Sequence, residues 1–151
     1  MKTFKTKIYT PVDPLTTVQM DKVASFLKEH LQQYGDPKSD ILKAIHYALK
    51  ISDTPGGFVL VGFDGEDVVG AVVINRTGMS GYIPENILVY IAVHNDYRGH
   101  GLGKKLMKEA LKFSDGGVAL HVEPDNPAKI LYEKLGFTNK YLEMRYTKES
   151  A

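Results

Sequence analysis

The sequence has no cysteine and no tryptophan among its 151 residues. Without cysteine the chain has no disulfides, no thiolate metal site and no cysteine nucleophile, so no reaction of this protein passes through a covalent cysteine intermediate. Charge of one sign is not in excess either. With 19 basic and 18 acidic residues the formal net charge is +1, which argues against a nucleic-acid binder that works by bulk charge.

Long apolar runs are also missing, and none could span a membrane. The N-terminal stretch Met1–Lys7 alternates polar and apolar residues and lacks the apolar block of a signal peptide. We therefore expect no membrane association and a cytoplasmic location. The length, with 43% hydrophobic and 25% charged residues, predicts a single domain over residues 1–151.

Hydrophobic periodicity predicts the element order β-α-α-β-β-β-α-β-α-β, a mixed sheet with helices packed on it. Asp13-Pro14 and Asp36-Pro37 provide start signals for the first two helices, and Asp64-Gly65 predicts a tight hairpin turn. The continuous apolar run Ile87–Val93 predicts a central buried strand. Strands are predicted at 4–10, 58–63, 66–75, 87–93, 118–122 and 142–146, and the later helices at 102–113 and 127–135.

A glycine-rich loop, Arg98-Gly99-His100-Gly101-Leu102-Gly103, separates the central strand from the following helix. Glycine lets the backbone approach a ligand closely, and the free N–H groups of a helix's first turn bind anions such as pyrophosphate. The loop is neither a dinucleotide fingerprint nor a Walker loop, because Lys104 and Lys105 stand where those motifs need Gly and Ser or Thr. A plain turn between strand and helix is the alternative.

Two motifs resemble those of the GNAT superfamily of acetyltransferases. The signature Arg/Gln-x-x-Gly-x-Gly/Ala is met by Arg98, Gly101 and Gly103. The stretch 126–137, from Asn126 to Phe137, is similar to the family's second signature, an Asn–Ala–Tyr–Gly-Phe pattern. The close match covers residues 87–137, and the first half agrees only in element order.

The resemblance implies an α/β (α+β) fold with a central mixed, mostly antiparallel sheet splayed between strands 4 and 5 and flanked by about four helices. It also implies acetyl-CoA as cosubstrate, with pantetheine in the gap and pyrophosphate on backbone N–H groups of the loop. The implied cofactor-binding residues are Ile91, Ala92, Val93, Arg98, Gly99, His100, Gly101, Leu102, Gly103, Lys104, Asn126, Lys129 and Tyr132.

For catalysis, the resemblance implies that the backbone N–H of Ile91 binds the acetyl carbonyl and that Tyr132 is the general acid toward the thiolate. Each assignment has a simpler alternative: Tyr132 at the edge of a helix core, Asn126 as an N-cap, and Lys104, Lys129 and Lys134 on solvated helix faces. The identity of the general base stays open, and Glu85 is one candidate, as the base or as a relay to it. The five candidates are Glu85, Tyr90, His94, His121 and Glu123.

The predicted function is an N-acetyltransferase that moves the acetyl group of acetyl-CoA to a primary amine by direct transfer in a ternary complex. The acceptor is a small molecule or a peptide, bound by the first two helices and the loop 76–86. The alternatives are a non-catalytic acyl-CoA-binding module, or an acyltransferase using another acyl group or a hydroxyl acceptor. We expect no metal and no nucleic acid; a homodimer through the strand 141–147 stays open.

Overall fold

The computed structural model describes residues 4–149 of the chain. They divide into two compact units, the first ending at Leu120 and the second beginning at His121. Each unit is described by itself, and the assignment of the whole chain to one domain stays a prediction. Among residues 4–149, no helix has the length and apolar character needed to cross a membrane.

The elements of the first unit follow the predicted order. The strands are β1 Lys5–Tyr9, β2 Gly57–Asp64, β3 Asp67–Arg76, β4 Asn86–Val93 and β5 Val118–Leu120. The helices are α1 Thr17–Leu31, α2 Lys38–Ala48 and α3 Leu102–Phe113, with short 3-10 turns at Gln32–Tyr34 and Asn95–Tyr97. The second unit contains α4, Ala128–Lys134.

The sheet has the order β1-β2-β3-β4-β5, and only the β4–β5 pair is parallel. Along β4, Tyr90 pairs with Val73 whereas Leu88 pairs with the next residue of β3, so that Val89 is an extra residue, a β-bulge. Pairing with β5 ends at the same place, because it covers only the start of β4 up to Leu88. A bulge bends its strand and raises the local twist. The predicted splay between the fourth and fifth strands is therefore confirmed.

Helices α1 and α2 bury their apolar faces against one face of the sheet. Leu27 and Ile41 are fully buried there, in one cluster with Tyr90 and Ala92 of β4. Helix α3 lies on the opposite face, where a β-carbon at Gly70 would come within 2.6 Å of Leu106. Because β3 has no side chain at that position, α3 packs close to the strands and brings the preceding loop to the end of β4.

The burial of β4 differs from the prediction of a strand covered on both faces. Tyr90 and Ala92 are buried, whereas Ile91 and Val93 are only partly covered. An apolar run does not by itself distinguish a strand buried on two faces from one buried on a single face. Partly covered residues alternate with buried ones along the whole strand, so one face of β4 is less covered than the other.

The start of α1 and the hairpin turn both lie later in the sequence than predicted. Helix α1 begins after Thr16, whose side chain forms a capping box with Gln19. This box satisfies two otherwise free N–H groups, while Asp13 belongs to a turn with Thr10. The hairpin turn is Gly65-Glu66, one residue later than predicted, because Asp64 still pairs with Asp67.

The predicted last strand at 142–146 is absent. Within the described part of the second unit, residues 138–149 form neither helix nor strand. The apolar side chains that suggested the strand are almost fully exposed, with Leu142 at 83% and Met144 at 91%. Alternation forms a strand only where a partner strand completes its hydrogen bonds. The observed β5 is also two residues shorter than predicted.

Candidate functional site

The glycine-rich loop leads into α3 through two left-handed backbone positions, Gly99 at φ 83° and Gly101 at φ 78°. Gly101 is the N-cap of the helix and offers no side chain to its free N–H groups. The first helical hydrogen bond runs from the Lys105 N–H to the Gly101 carbonyl, 3.0 Å. The N–H groups of residues 102–104 therefore have no helical acceptor. This arrangement can bind an anion through the backbone alone.

The side chains of the glycine-rich loop differ in their contacts and in their exposure to solvent. Arg98 donates from Nη2 to the His30 carbonyl, 3.1 Å, in the last turn of α1. Leu102 is 1% exposed and packs in the core, so only its backbone is available to a ligand. His100 and Lys104 are exposed. Of the predicted contacts in this loop, the structure thus leaves mainly backbone groups and the exposed Lys104 ammonium for an anion.

A buried histidine fixes the loop to helix α1. His30 is 4% exposed, and its Nδ1 accepts the Asn95 N–H at 3.3 Å. The His94 ring lies against it with the centroids 4.3 Å apart. Burial lowers the pKa of His30, and the neighbouring His94 lowers it further. A neutral His30 ring can accept the Asn95 N–H, so this contact, three residues before the glycine-rich loop, depends on the ring staying uncharged.

Strand β4 directs free backbone groups toward its open edge. The His94 N–H donates to the Val69 carbonyl at 2.8 Å, so this position bonds toward β3. In an antiparallel ladder, bonded and non-bonded positions alternate. Ala92 and Tyr90 therefore also bond toward β3, while the N–H and C=O groups of Ile91 and Val93 point the other way. Since β5 pairs only up to Leu88, these groups lie along the splayed edge.

Glu85 holds the turn that precedes β5. Its Oε1 accepts the Gly117 N–H at 2.7 Å, and this bond lowers the pKa of the carboxyl. The next residue, Asn86, is 2% exposed and donates from Nδ2 to the Asp115 and Gly117 carbonyls. Together the two side chains fix where β5 starts beside β4. A carboxylate with a lowered pKa is a weaker proton acceptor.

In the second unit, Tyr132 is the one described residue that is buried, at 7% exposure. Burial raises the pKa of its hydroxyl, which therefore keeps its proton near neutral pH. Asn126 accepts the Ala128 N–H on Oδ1 at 2.9 Å, the contact of an Asx turn just before α4, whose N-cap is Pro127. This contact leaves the amide donors of Asn126 for other partners. Lys129 is half-buried.

The other base candidates are partly engaged. His94 Nδ1 accepts the Asp96 N–H at 3.1 Å, and His121 Nδ1 lies 4.0 Å from Glu143. Glu123 is exposed. The Tyr90 hydroxyl donates to Asp36 Oδ2 at 2.5 Å, and burial together with that carboxylate raises the tyrosine pKa strongly. Sequence reasoning missed this pair; the one available signal was a lone tyrosine hydroxyl within an otherwise apolar strand.

A family model described as the acetyltransferase (GNAT) domain matches residues 55–139. The chain belongs to the GNAT acetyltransferase family. The matched segment begins before β2 and extends past α4, so it includes both predicted signatures and runs from the first unit into the second. The resemblance predicted from the sequence is thereby confirmed.

Among curated relatives of the GNAT chain, N-alpha-acetyltransferase RimI of Mycobacterium tuberculosis is 36% identical over 88 residues, 57% of this chain and 55% of that protein. Mycothiol acetyltransferase of Corynebacterium glutamicum is 40% identical over 86 residues, 53% of this chain and 28% of that protein. The chain thus matches about half of one relative and about a quarter of the other.

The fold itself extends over the whole chain. The structure of an aminoglycoside N-acetyltransferase, AAC(6')-Iy, in complex with CoA has a TM-score of 0.70 to this chain. The match covers 99% of this chain and 98% of that one at 15% identity. At this identity the likeness establishes the GNAT fold and nothing finer. Within residues 4–149, no three histidine or carboxylate side chains come together in a group that could hold a metal ion.

Proposed function

We propose that this GNAT protein is an acetyl-CoA-dependent N-acetyltransferase that transfers the acetyl group to a primary amine directly, within a ternary complex. The observation that carries the proposal is the open edge of β4, where Ile91 and Val93 present backbone groups beyond the bulge. The family membership and the free N–H groups of residues 102–104 support it. The relatives are acetyltransferases by name, and one neighbour was crystallised with CoA.

In this proposal the first unit binds the cosubstrate mainly through its backbone. Residues 99–104 receive the pyrophosphate at the start of α3, where the helix dipole adds partial positive charge. The backbone groups of Ile91 and Val93 pair with the pantetheine arm as a further strand would. Lys104 and Lys129 add positive charge, and the Asn126 amide donates to the arm. Arg98 acts on the loop through its bond to the His30 carbonyl.

The proposed chemical step uses the backbone N–H of Ile91 and the hydroxyl of Tyr132. The neutral acceptor amine attacks the acetyl carbonyl carbon, and the Ile91 N–H stabilises the negative oxygen of the tetrahedral species. The carbon–sulfur bond then breaks, and the leaving thiolate takes a proton from the Tyr132 hydroxyl. The proton that the former amine nitrogen loses as the amide forms restores this hydroxyl. A direct route suits a chain without cysteine, since no protein thioester is available.

The acceptor amine must lose its proton before it attacks. For an amine of pKa about 10.4, this costs roughly 4–5 kcal/mol at pH 7. Glu85 does not suit the task, because its carboxylate is held by Gly117 and its pKa is lowered. We therefore propose that solvent water, and not Glu85, accepts the proton of the acceptor ammonium group.

Thermal unfolding with and without acetyl-CoA tests the cosubstrate, with NAD and ATP as controls. A ligand at a hundred times its Kd stabilises a protein by about 2.7 kcal/mol, which for this chain length raises Tm by roughly 5–10 °C. We expect the shift with acetyl-CoA alone. No shift at saturating acetyl-CoA would reject the assignment.

Thiol release across a panel of amines then tests the reaction. We expect acetyl-CoA to be consumed only in the presence of an acceptor amine. Tight binding of acetyl-CoA with no turnover on any amine would favour the alternative, a non-catalytic acyl-CoA-binding module. Turnover with alcohols or with longer acyl chains would favour another acyltransferase.

A further inference from the structure

The Tyr90–Asp36 pair joins a buried strand to an exposed connection. Tyr90 is 8% exposed on β4, and its hydroxyl donates to Asp36 Oδ2 at 2.5 Å. Asp36 itself is exposed and lies between the 3-10 turn that follows α1 and the start of α2. One carboxylate oxygen is thus fixed from below by the sheet, while the residue remains open to solvent.

The charge of Asp36 is not neutralised by an ion pair. Throughout residues 4–149, no lysine, arginine or histidine forms a salt bridge with this carboxylate; Lys38 and Lys43 of α2 pair instead with other carboxylates, at 2.7 and 3.6 Å. The Lys28 ammonium lies nearby, but it donates to the backbone carbonyl of Asp36, at 3.3 Å. Asp36 therefore offers a positioned carboxylate whose one side-chain partner is a neutral phenol.

Its position relates Asp36 to the proposed reaction. Tyr90 immediately precedes Ile91, whose N–H points along the open edge of β4 and is the proposed donor to the acetyl carbonyl. The carboxylate lies one tyrosine side chain away from this strand position. All three residues belong to the first unit. The connection between α1 and α2 thus places a negative charge near the point where an acceptor must approach.

We infer that Asp36, held by Tyr90, binds a cationic group of the acceptor, so that the acceptor is an amine with a second ammonium group. This inference rests on the proposed function. The amine that attacks must be neutral, so a positive charge bound by Asp36 belongs to another group of the same molecule. The Tyr90 hydroxyl fixes the position of one carboxylate oxygen, and the exposed carboxylate can contact a cation that approaches from solvent.

The test compares two acceptors of equal chain length, 1,4-diaminobutane and 1-aminobutane, which differ in one ammonium group. We expect the wild-type protein to prefer the diamine by at least about tenfold in kcat/KM. In Asp36→Asn the diamine should lose about tenfold to a hundredfold, mainly through KM, because a charge-assisted contact is removed. The monoamine should be unaffected.

Asp40→Asn is the matched control. It removes an equal charge from the neighbouring helix, where Asp40 already pairs with Lys43, and it should leave the diamine preference intact. Tyr90→Phe is the second variant, for the case in which Asp36→Asn does not fold. It keeps the carboxylate but frees it from the sheet, and the diamine preference should fall several-fold.

The outcomes separate the two proposals. Equal kcat/KM for diamine and monoamine in the wild type, or the same loss with both amines in Asp36→Asn, would overturn the role of Asp36 while leaving acetyl transfer in place. If neither amine nor any other amine of the panel is acetylated, the proposed function fails, and the role of Asp36 fails with it.

Discussion

The two compact units of this protein differ in how their candidate functional groups are built. The first unit has a dense core and presents backbone N–H groups, at the glycine-rich loop and along the open edge of β4. The second unit contains one short helix and, among its described residues, a single buried side chain, Tyr132. In the proposed function, the first unit therefore binds the cosubstrate mainly through its main chain. The second unit contributes side chains, of which the Tyr132 hydroxyl takes part in the chemical step.

This difference predicts which kinds of substitution each unit can tolerate. A backbone site depends on φ angles and on the glycines that permit them, so it is sensitive to conformation and tolerant of side-chain chemistry. A site made by one hydroxyl depends on one functional group. Substitutions should thus separate binding from turnover according to the unit in which they fall.

Removing the Tyr132 hydroxyl should give the largest effect. In Tyr132→Phe, the leaving thiolate loses its proton donor while the ring and its packing stay, so kcat should fall about a hundredfold. Acetyl-CoA affinity should change less than about twofold. Steady-state kinetics and calorimetric titration measure the two quantities.

The matched control for this variant is Tyr141→Phe, which removes a hydroxyl from a tyrosine that is 80% exposed in the same unit. It should behave as wild type. Wild-type turnover in Tyr132→Phe would remove this hydroxyl from the mechanism and, with it, the division of roles between the units.

Restricting the loop backbone should affect binding instead. In Gly101→Val, the left-handed N-cap position becomes costly for a β-branched residue, and the N–H groups of α3 lose their arrangement. Apart from the residues next to it in the chain, no atom lies within 4 Å of a β-carbon at Gly101, so the change is conformational rather than a clash. We expect acetyl-CoA affinity to fall about tenfold or more, measured by calorimetry.

Gly81→Val provides the comparison, because Gly81 has a nearly equal φ of 77° and equally open surroundings. Both variants should lose similar stability, and only Gly101→Val should lose cosubstrate affinity. Unchanged affinity in Gly101→Val would mean that the loop is a plain turn.

The smallest expected effect concerns the interior of the first unit. The pKa of His30 lies below its ordinary value of 6.5 because the ring is buried beside His94. The unfolded chain therefore takes up this proton first, so stability is full above about pH 6.5 and decreases as the pH falls toward the folded-state pKa. We expect Tm to fall by a few degrees over this range, along with acetyl-CoA affinity, as the Asn95 contact is lost.

His30→Gln separates this effect from other titrations, since glutamine retains an acceptor but does not ionise. Its Tm and its acetyl-CoA affinity should depend less on pH than those of the wild type. An identical pH profile in the two proteins would show that His30 does not link protonation to the loop.

Local sequence predicted the glycine-rich loop and the elements on either side of it well. Gly99 and Gly101 predict a loop with an exposed backbone, because left-handed positions between a strand and a helix favour glycine. The hydrophobic patterns of α3 and β4 are equally local, and the family match over residues 55–139 agrees with them. The predicted strand at 142–146 was wrong for the opposite reason. Alternation is a local pattern, whereas a strand also needs a partner strand, which the local pattern does not determine.

The contact between Asp36 and Tyr90 could not be predicted in this way. Asp36 and Tyr90 are 54 positions apart, and nothing around either residue indicates the other. The extra residue Val89 is equally hidden, since a bulge is defined only by the register of the neighbouring strand. The mixed charges over residues 28–40 do not indicate which carboxylates form ion pairs. Among the described residues, the structure pairs Lys38 with Asp21 and Lys43 with Asp40.

The sequence by itself determined the family, the order of the elements of the first unit and the loop before α3. These features depend on the spacing of apolar residues and glycines over a few neighbouring positions. The tertiary structure decided where β4 and β5 part, which backbone groups face the open edge and which carboxylate accepts the Tyr90 hydroxyl. These features depend on register and on contacts between distant segments, and such contacts exist only once the chain has folded.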